Sequence, residues 1–239
     1  WQKYAPSAEI NPAQIYRRKL VLEELKCCKV DRFLDIGSGQ GDLCLAVQEL
    51  FPRAEILGVE LSEVGVAVAR QKVPHGQFIQ RDLSKTEEPP SGWKHRATAA
   101  VCSEVLEHVD DPVAFLAHAA EFLAPGARVV VTVPAGPRSA FDRHIGHRRH
   151  FTPALLDHTA GAAGFQVEKI QASGFPFFNL YKLVVILRGK KLIEDVANGP
   201  QAKASFFSRL VMGIFRFLFR FNTTASVWGW QLVAVLRKG

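Results

Sequence analysis

Residues 33–41 read Phe-Leu-Asp-Ile-Gly-Ser-Gly-Gln-Gly, an apolar run that leads into three glycines at alternate positions. Apolar residues then recur at helical spacing over residues 43–50, so the pattern predicts a strand, a tight turn and a helix. Glycines at such a turn let the backbone approach a ligand closely, beside the positive end of a helix. The predicted ligand site contains Asp35, Gly37, Gly39 and Gly41.

The same alternation of strand and helix continues along the chain. Residues 55–61 predict a second strand, and Ser62 is a suitable N-cap for the helix that follows. A later helix is predicted over residues 112–123, ended by Pro125 and Gly126. The remaining strand candidates are residues 77–80, 98–103, 128–133, 165–171 and 227–236. This order predicts an α/β fold built on a mostly parallel sheet.

Acidic residues end the second and third predicted strands. The Glu60 carboxylate can accept hydrogen bonds from both hydroxyls of a ribose, and Asp82 can meet an adenine amino group. Together with Asp35, these acids favour a cofactor that contains adenosine. The glycine-rich turn is also compatible with a dinucleotide-binding dehydrogenase.

A second group of polar residues follows the fourth predicted strand. Glu104, Glu107 and His108 are spaced i, i+3 and i+4, so in a helix they would share one face. His144, His147 and His150 follow the fifth strand, within seven residues. Carboxylates and neutral imidazoles suit a divalent cation such as magnesium, manganese, iron or zinc. The predicted metal ligands are Glu104, Glu107, His108 and His147, with His144 or His150 as substitutes for the fourth.

The same residues could instead serve without a metal. His108, His144 and His147 are candidate catalytic bases, because imidazole titrates near neutral pH. Alternatively, Glu104 and Glu107 are ordinary acids in the first turn of a helix, where they interact favourably with the helix dipole. The sequence leaves these alternatives open.

Composition limits the class of protein. A chain of 239 residues with 48% hydrophobic and 22% charged residues is typical of one soluble globular domain. Four cysteines without metal-ligand spacing, and no recognisable secretory signal, predict a cytoplasmic location. The net charge of +7 is concentrated in residues 138–225, which carry 13 basic and 5 acidic side chains. Such a field favours an anionic membrane surface, a phosphorylated substrate or nucleic acid.

Much of this basic region is an aromatic segment, residues 175–225, that lies before the last predicted strand. It holds nine of the 17 phenylalanines and predicts two amphipathic helices. The second helix resembles one that lies at a membrane interface, with a stripe of Arg209, Arg216 and Arg220 against an apolar surface of Phe207, Leu210, Phe215 and Leu218. The alternative is that both helices cover the sheet or the substrate pocket. We therefore predict a single domain over residues 1–239, with a helical cap at 1–31 and a helical insertion at 175–225.

From Phe33 to Phe165 the sequence resembles the class I S-adenosylmethionine-dependent methyltransferases. Residues 33–41 resemble the first motif of that family, residues 58–62 the second, and residues 102–109 the segment after strand four. The resemblance implies a Rossmann-like sheet of seven strands, the last antiparallel, with helices on both faces. It also implies a cofactor site with the glycines around the methionine part, Glu60 on the ribose and Asp82 near the adenine. Leu61, Leu83 and Ser103 complete the implied cofactor site.

Within this family, the pattern Glu-x-x-Glu-His with a later Gly-His stretch resembles the ubiquinone-biosynthesis O-methyltransferases, in which the acids and histidines hold a divalent metal. It resembles the small-RNA 2′-O-methyltransferases more distantly. The sequence departs from the ubiquinone pattern at Arg148 and Arg149. The resemblance implies O-methylation of a lipophilic or amphiphilic small molecule. The alternatives are an RNA methyltransferase and an inactive, cofactor-binding member of a membrane-bound assembly.

Overall fold

The computed structural model describes residues 11–189 and 206–239, which form one seven-stranded sheet in the order β3-β2-β1-β4-β5-β7-β6. The strands are β1 (Arg32–Ile36), β2 (Glu55–Glu60), β3 (Gln77–Gln80), β4 (Ala97–Ser103), β5 (Leu123–Pro134), β6 (Phe165–Ser173) and β7 (Gln231–Lys238). The first five strands pair in parallel, and β7 is antiparallel to both β5 and β6. The predicted Rossmann-like sheet with an antiparallel last strand is confirmed.

Eight α-helices belong to the described ranges. They are α1 (Pro12–Leu25), α2 (Asp42–Leu50), α3 (Glu63–Lys72), α4 (Pro112–Ala120), α5 (Ala140–His144), α6 (Pro153–Ala162), α7 (Phe177–Leu187) and α8 (Phe206–Leu218). Short 3₁₀ turns follow β4 at Leu106–His108 and follow α8 at Phe219–Phe221. Helices cover both faces of the sheet, as expected. Successive residues of β1 point to opposite faces, and both Phe33 on one face and Leu34 on the other are buried.

Three predicted element boundaries are wrong: the end of α4, the start of β5 and the start of β7. The helix predicted to run to residue 123 ends at Ala120, because Phe122 accepts backbone hydrogen bonds from Arg96 and Ala97 and so joins the sheet. Pro125 and Gly126 consequently lie inside β5. The last strand begins at Gln231, and residues 227–230 precede it as a loop.

The aromatic segment packs against the N-terminal helix. Tyr16 of α1 lies 5.6 Å from Phe178 of α7 and 5.5 Å from Phe219, measured between ring centroids. These rings join the core on one face of the sheet. Residues 1–10 of the predicted cap and 190–205 of the predicted insertion lie outside the described residues, as do the side chains of Phe207 and Arg209. Within residues 11–189 and 206–239, no helix is both long enough and apolar enough to cross a membrane.

Candidate active site

The sequence-predicted site residues lie at one edge of the sheet. Strand order reverses between β1 and β4, and in open α/β sheets the carboxyl ends of the strands at such a point form a crevice for ligands. The glycine-rich turn follows β1, Glu60 ends β2, and Ser103 ends β4. The topology therefore brings the cofactor residues and the acid-histidine residues to the same edge.

The glycine-rich turn depends on its glycines. Gly37, Gly39 and Gly41 have φ angles of 77°, 54° and 78°, in the left-handed region that side chains disfavour. A β-carbon on Gly37 would also lie 2.5 Å from a methyl carbon of Val105, so space as well as backbone conformation requires glycine. The Ser38 hydroxyl is buried and has no hydrogen-bond partner within the described part of the chain. The turn therefore leaves room for a ligand close to the backbone, and the Ser38 hydroxyl is available to form a hydrogen bond with it.

Glu60 holds the turn in place. One of its carboxylate oxygens accepts from the Gly39 N–H at 2.9 Å, and the other accepts from the Ser62 N–H at 2.8 Å. Each oxygen of a carboxylate has two acceptor positions, so both oxygens can still accept from a ribose. Glu60 is thus placed both to shape the loop and to receive a ligand.

Asp35 is buried in β1 and accepts a hydrogen bond from the Cys44 thiol at 3.2 Å. Burial raises the pKa of Asp35 to about 7, against the opposing effect of the Cys44 hydrogen bond, and the nearby Glu60 raises it further. The carboxyl group links β1 to α2 through Cys44 and is protonated over much of the acidic range.

Asp35 predicts a pH dependence of stability. Because its pKa is higher in the folded protein than in the unfolded chain, the folded protein binds more protons between about pH 4 and 7. The contribution of Asp35 to stability is therefore present at low pH and lost as the pH rises through 7. We expect Asp35→Asn to gain stability relative to the wild type between pH 5 and 8, measured by urea unfolding without cofactor. An unchanged difference between the two proteins across this range would contradict the expectation.

The remaining predicted cofactor residues surround the same edge. Asp82 follows β3 and accepts from the Ser84 N–H at 3.0 Å, while Leu83 is buried beside it. Leu61 is exposed at the end of β2. The Ser103 hydroxyl lies 2.8 Å from the Thr132 hydroxyl. All of these residues end or follow a strand, as expected from the sequence.

The acid-histidine group comes together around Glu107. Potential ligand atoms of Glu107, His108 and His147 lie within 4.8 Å of one another. Glu107 is completely buried, and neither of its carboxylate oxygens has a hydrogen-bond partner among the described residues. Burial, and then the neighbouring Glu104, raise the pKa of Glu107 well above its usual range. A buried carboxyl group without a partner is costly, so this one is suited to receive a positive charge.

Glu104 takes a different position from the one that helical spacing predicts. It has a φ of 57°, and only residues 106–108 form a turn, of 3₁₀ type. Its carboxylate pairs with Arg17 at 3.2 Å and accepts from the Gln231 amide at 2.8 Å. Three of the four expected ligands therefore meet, while Glu104 interacts with residues from α1 and β7.

Hydrogen bonds determine the tautomers of two histidines. The His150 Nδ1 lies 3.0 Å from the Gly136 carbonyl, which can only accept, so Nδ1 of His150 carries a proton. The His150 Nε2 is then free to accept from His147 Nδ1, at 3.3 Å. Burial, and next the charge of His108, lower the pKa of His147 to about 3, and burial lowers the pKa of His150. Both imidazoles are neutral, and His147 Nε2 keeps a free lone pair.

Sequence patterns missed Asp142 and Lys182. The Asp142 carboxylate caps α5 through Ser139, pairs with Lys182 of α7 at 3.2 Å and lies 3.8 Å from His150 Nε2. Burial alone would raise the Asp142 pKa, but Lys182 and Ser139 outweigh it and lower the pKa to about 2. No local signal could reveal this pair, since its members are far apart in the sequence. His144, by contrast, is exposed and belongs to neither histidine-containing cluster of the described residues.

Comparison with known proteins identifies the family. A family profile described as a methyltransferase domain matches residues 10–170, more than half of the chain. The chain belongs to this family. It is an S-adenosylmethionine-dependent methyltransferase, and S-adenosylmethionine is its cofactor.

The curated relatives of this methyltransferase include ubiquinone biosynthesis O-methyltransferases. The protein of Aeromonas salmonicida is 27% identical over 198 residues, which cover 76% of this chain and 81% of the relative. The protein of Bradyrhizobium sp. is 34% identical over 140 residues, covering 54% of this chain and 53% of the relative. The resemblance expected from the sequence is confirmed.

Solved structures confirm the class I methyltransferase fold. A methyltransferase of Thermotoga maritima superposes with a TM-score of 0.63 at 16% identity, covering 100% of this chain and 95% of that one. Phosphoethanolamine N-methyltransferase 2 of Haemonchus contortus, in complex with S-adenosyl-L-methionine, gives 0.60 at 18% identity, covering 93% and 52%. At these identities the likeness establishes the fold alone.

The two arginines that depart from the ubiquinone pattern have a structural role in this methyltransferase. The Arg148 side chain donates to the His108 carbonyl at 2.8 Å, and Arg149 donates to the Asp110 carbonyl at 2.7 Å. The Arg148 N–H also donates to the Glu107 carbonyl at 2.7 Å. These hydrogen bonds therefore connect the segment that contains His147 and His150 to the turn that contains Glu107 and His108.

Proposed function

We propose that this methyltransferase transfers the methyl group of S-adenosylmethionine to a hydroxyl of a lipophilic or amphiphilic small molecule. The observation that carries the proposal is the meeting of Glu107, His108 and His147 at the carboxyl edge of the sheet, where the cofactor residues also lie. The names of the curated relatives support a hydroxyl acceptor. Those names also contain ubiquinone, which supports a lipophilic acceptor molecule.

The proton of the acceptor goes to His147 Nε2. As the hydroxyl oxygen attacks the methyl carbon in line, the carbon–sulfur bond breaks and its electron pair stays on sulfur. The products are a methyl ether, S-adenosylhomocysteine and a protonated imidazole, which returns its proton to solvent. His150 is a positioning residue, because it accepts from His147 Nδ1 and so keeps the lone pair on Nε2. Glu107 faces the charge that develops on the imidazoles.

The same group also fits a divalent cation. The donors are one carboxylate and two neutral imidazoles, and the carboxylate oxygens lack partners among the described residues. Glu107, His108 and His147 would hold the ion, whereas the fourth ligand that the sequence predicts, Glu104, pairs with Arg17 and accepts from Gln231 instead. When bound, a cation lowers the pKa of a hydroxyl beside it. His147 then serves as a ligand, and chelation separates this role from that of a base.

The described parts of the helical cap, residues 11–31, and of the insertion, residues 175–189 and 206–225, are proposed to complete the acceptor site. Arg17 of α1 reaches Glu104, and Lys182 of α7 reaches Asp142, so the described parts of both segments contact the acid-histidine residues. The aromatic rings of α1, α7 and α8 pack against one another within the core and so hold both segments on the sheet.

Labelling with methyl-labelled S-adenosylmethionine tests the proposal. The protein is incubated with separate lipid, RNA and polar extracts, and we expect label in the lipid extract as an alkali-stable methyl ether. A His147→Ala variant that binds S-adenosylmethionine normally is the matched control and should leave the extract unlabelled. Label in RNA alone would establish the nucleic-acid alternative. No label in any extract would support the inactive, cofactor-binding alternative.

A further inference from the structure

Helices α7 and α8 are apolar on the sides that face each other and the core. The Tyr181 ring lies 5.2 Å from that of Phe215 and 5.8 Å from that of Phe219. Phe178, Phe215 and Phe219 are buried. The inward side chains of both helices are therefore covered by packing within the protein.

The outward side of α8 and of the 3₁₀ turn after it is apolar as well. Its large side chains are spaced i, i+4, i+7 and i+11, and they are between 49% and 60% exposed. This exposed stripe consists of Leu210, Ile214, Phe217 and Phe221. Soluble proteins scatter single apolar residues over their surfaces, but a continuous row marks an interaction surface. The sequence alone assigned Phe215 and Leu218 to this surface, whereas the structure buries Phe215 and half-buries Leu218.

Cationic side chains border the exposed stripe. Arg216 and Arg220 are exposed, and each precedes one of the exposed phenylalanines by one residue. The Arg220 guanidinium carbon lies 6.0 Å from the centroid of the Phe217 ring. Residues 206–221 contain no acid. An apolar stripe with arginines along its border has the chemistry of an interfacial helix, with rings among acyl chains and guanidinium groups among phosphates.

Helix α7 also has exposed apolar side chains. Leu180, Leu183 and Leu187 are 42% to 78% exposed, and residues 175–189 also contain no acid. The same helix carries Lys182, which pairs with Asp142 beside the histidines. One helix thus presents apolar side chains to solvent and contacts the candidate active site.

We infer that the exposed stripe of α8, with its bordering arginines, docks this protein on the surface of an anionic lipid bilayer. Charge complementarity decides the occupant: guanidinium groups on an acid-free segment match anionic headgroups, and the aromatic side chains suit the boundary beneath them. The inference rests on the surface and not on the methyl-transfer reaction, so it can fail or succeed independently of the proposed function.

Vesicle co-sedimentation of the full chain tests the inference. We expect binding to vesicles of phosphatidylcholine and phosphatidylglycerol in equal parts, and much weaker binding to phosphatidylcholine alone. Raising the salt concentration should reduce the difference, because it screens exposed charges. Neutralising two arginines with Arg216→Gln and Arg220→Gln should weaken binding to anionic vesicles about thirtyfold. Arg53→Gln, at an exposed position in the loop before β2, is the matched control and should bind as the wild type does.

A second set of variants tests the apolar side chains of the exposed stripe. Phe217→Ser with Phe221→Ser should lose binding to both kinds of vesicle, while Leu155→Ser, at an exposed position on α6, should not. Unchanged thermal unfolding and S-adenosylmethionine affinity would show that the variants are folded. Equal binding to neutral and anionic vesicles, or binding to neither, would overturn the inference. So would a dimer in sedimentation velocity that the phenylalanine variants abolish, since the occupant would then be a second copy of the chain.

Discussion

Replacing Glu107 with glutamine is expected to lower the rate of methyl transfer at least about a hundredfold, the scale of a lost acid-base or electrostatic contribution. The carboxyl group is completely buried and lacks a partner among the described residues, and one of its oxygens lies within 4.8 Å of ring nitrogens of His108 and His147. Glutamine has nearly the same shape but cannot become an anion, so it can neither hold a cation nor balance a protonated imidazole. The two measurements are label transfer from methyl-labelled S-adenosylmethionine to the lipid extract and calorimetric binding of S-adenosylmethionine.

The stability of the same variant provides a second readout. A buried carboxyl group whose pKa is raised by its surroundings destabilises the folded protein, so Glu107→Gln should unfold at the same urea concentration as the wild type or a higher one. Glu49→Gln, exposed on α2, is the control and should change neither property. Exhaustive chelation should reproduce the loss of activity if a cation is bound and should leave activity intact if His147 acts as a base. Wild-type turnover by Glu107→Gln would show that Glu107 neither holds a cation nor balances a protonated imidazole.

Replacing Glu60 with alanine is expected to weaken S-adenosylmethionine binding about ten- to a hundredfold, which corresponds to roughly 1.5 to 3 kcal/mol for a hydrogen bond to a charged group. The variant loses the acceptor for the ribose hydroxyls. It also frees the N–H groups of Gly39 and Ser62, which the carboxylate holds at 2.9 and 2.8 Å. Isothermal titration calorimetry measures the change.

Two further variants sharpen this result. Glu60→Gln keeps one acceptor oxygen and should lie between the wild type and Glu60→Ala in affinity. Glu63→Ala, exposed in the first turn of α3, is the matched control for the loss of a nearby negative charge and should bind nearly normally. If Glu60→Ala bound S-adenosylmethionine as tightly as the wild type, the ribose would not lie at the end of β2.

The sequence by itself determined the local framework of the cofactor half of the site. The strand before the glycine-rich turn, the helix after it and Glu60 at the end of β2 were predicted correctly, because strand, turn and helix are local patterns. Parallel strands then place their carboxyl ends at one edge without further information. The antiparallel direction of the last strand was implied by family resemblance, and the structure shows this strand between β5 and β6.

Only the tertiary structure decided the rest. Helical spacing after β4 suggested one face for Glu104, Glu107 and His108, but Glu104 turns toward Arg17 and Gln231 instead. Those partners come from the first helix and the last strand, so no local window of sequence contains them. The Lys182–Asp142 pair and the choice of which phenylalanines of α8 face solvent likewise depend on packing between distant segments. Periodicity shows that a helix has an apolar side, whereas the neighbouring elements decide how much of that side is covered.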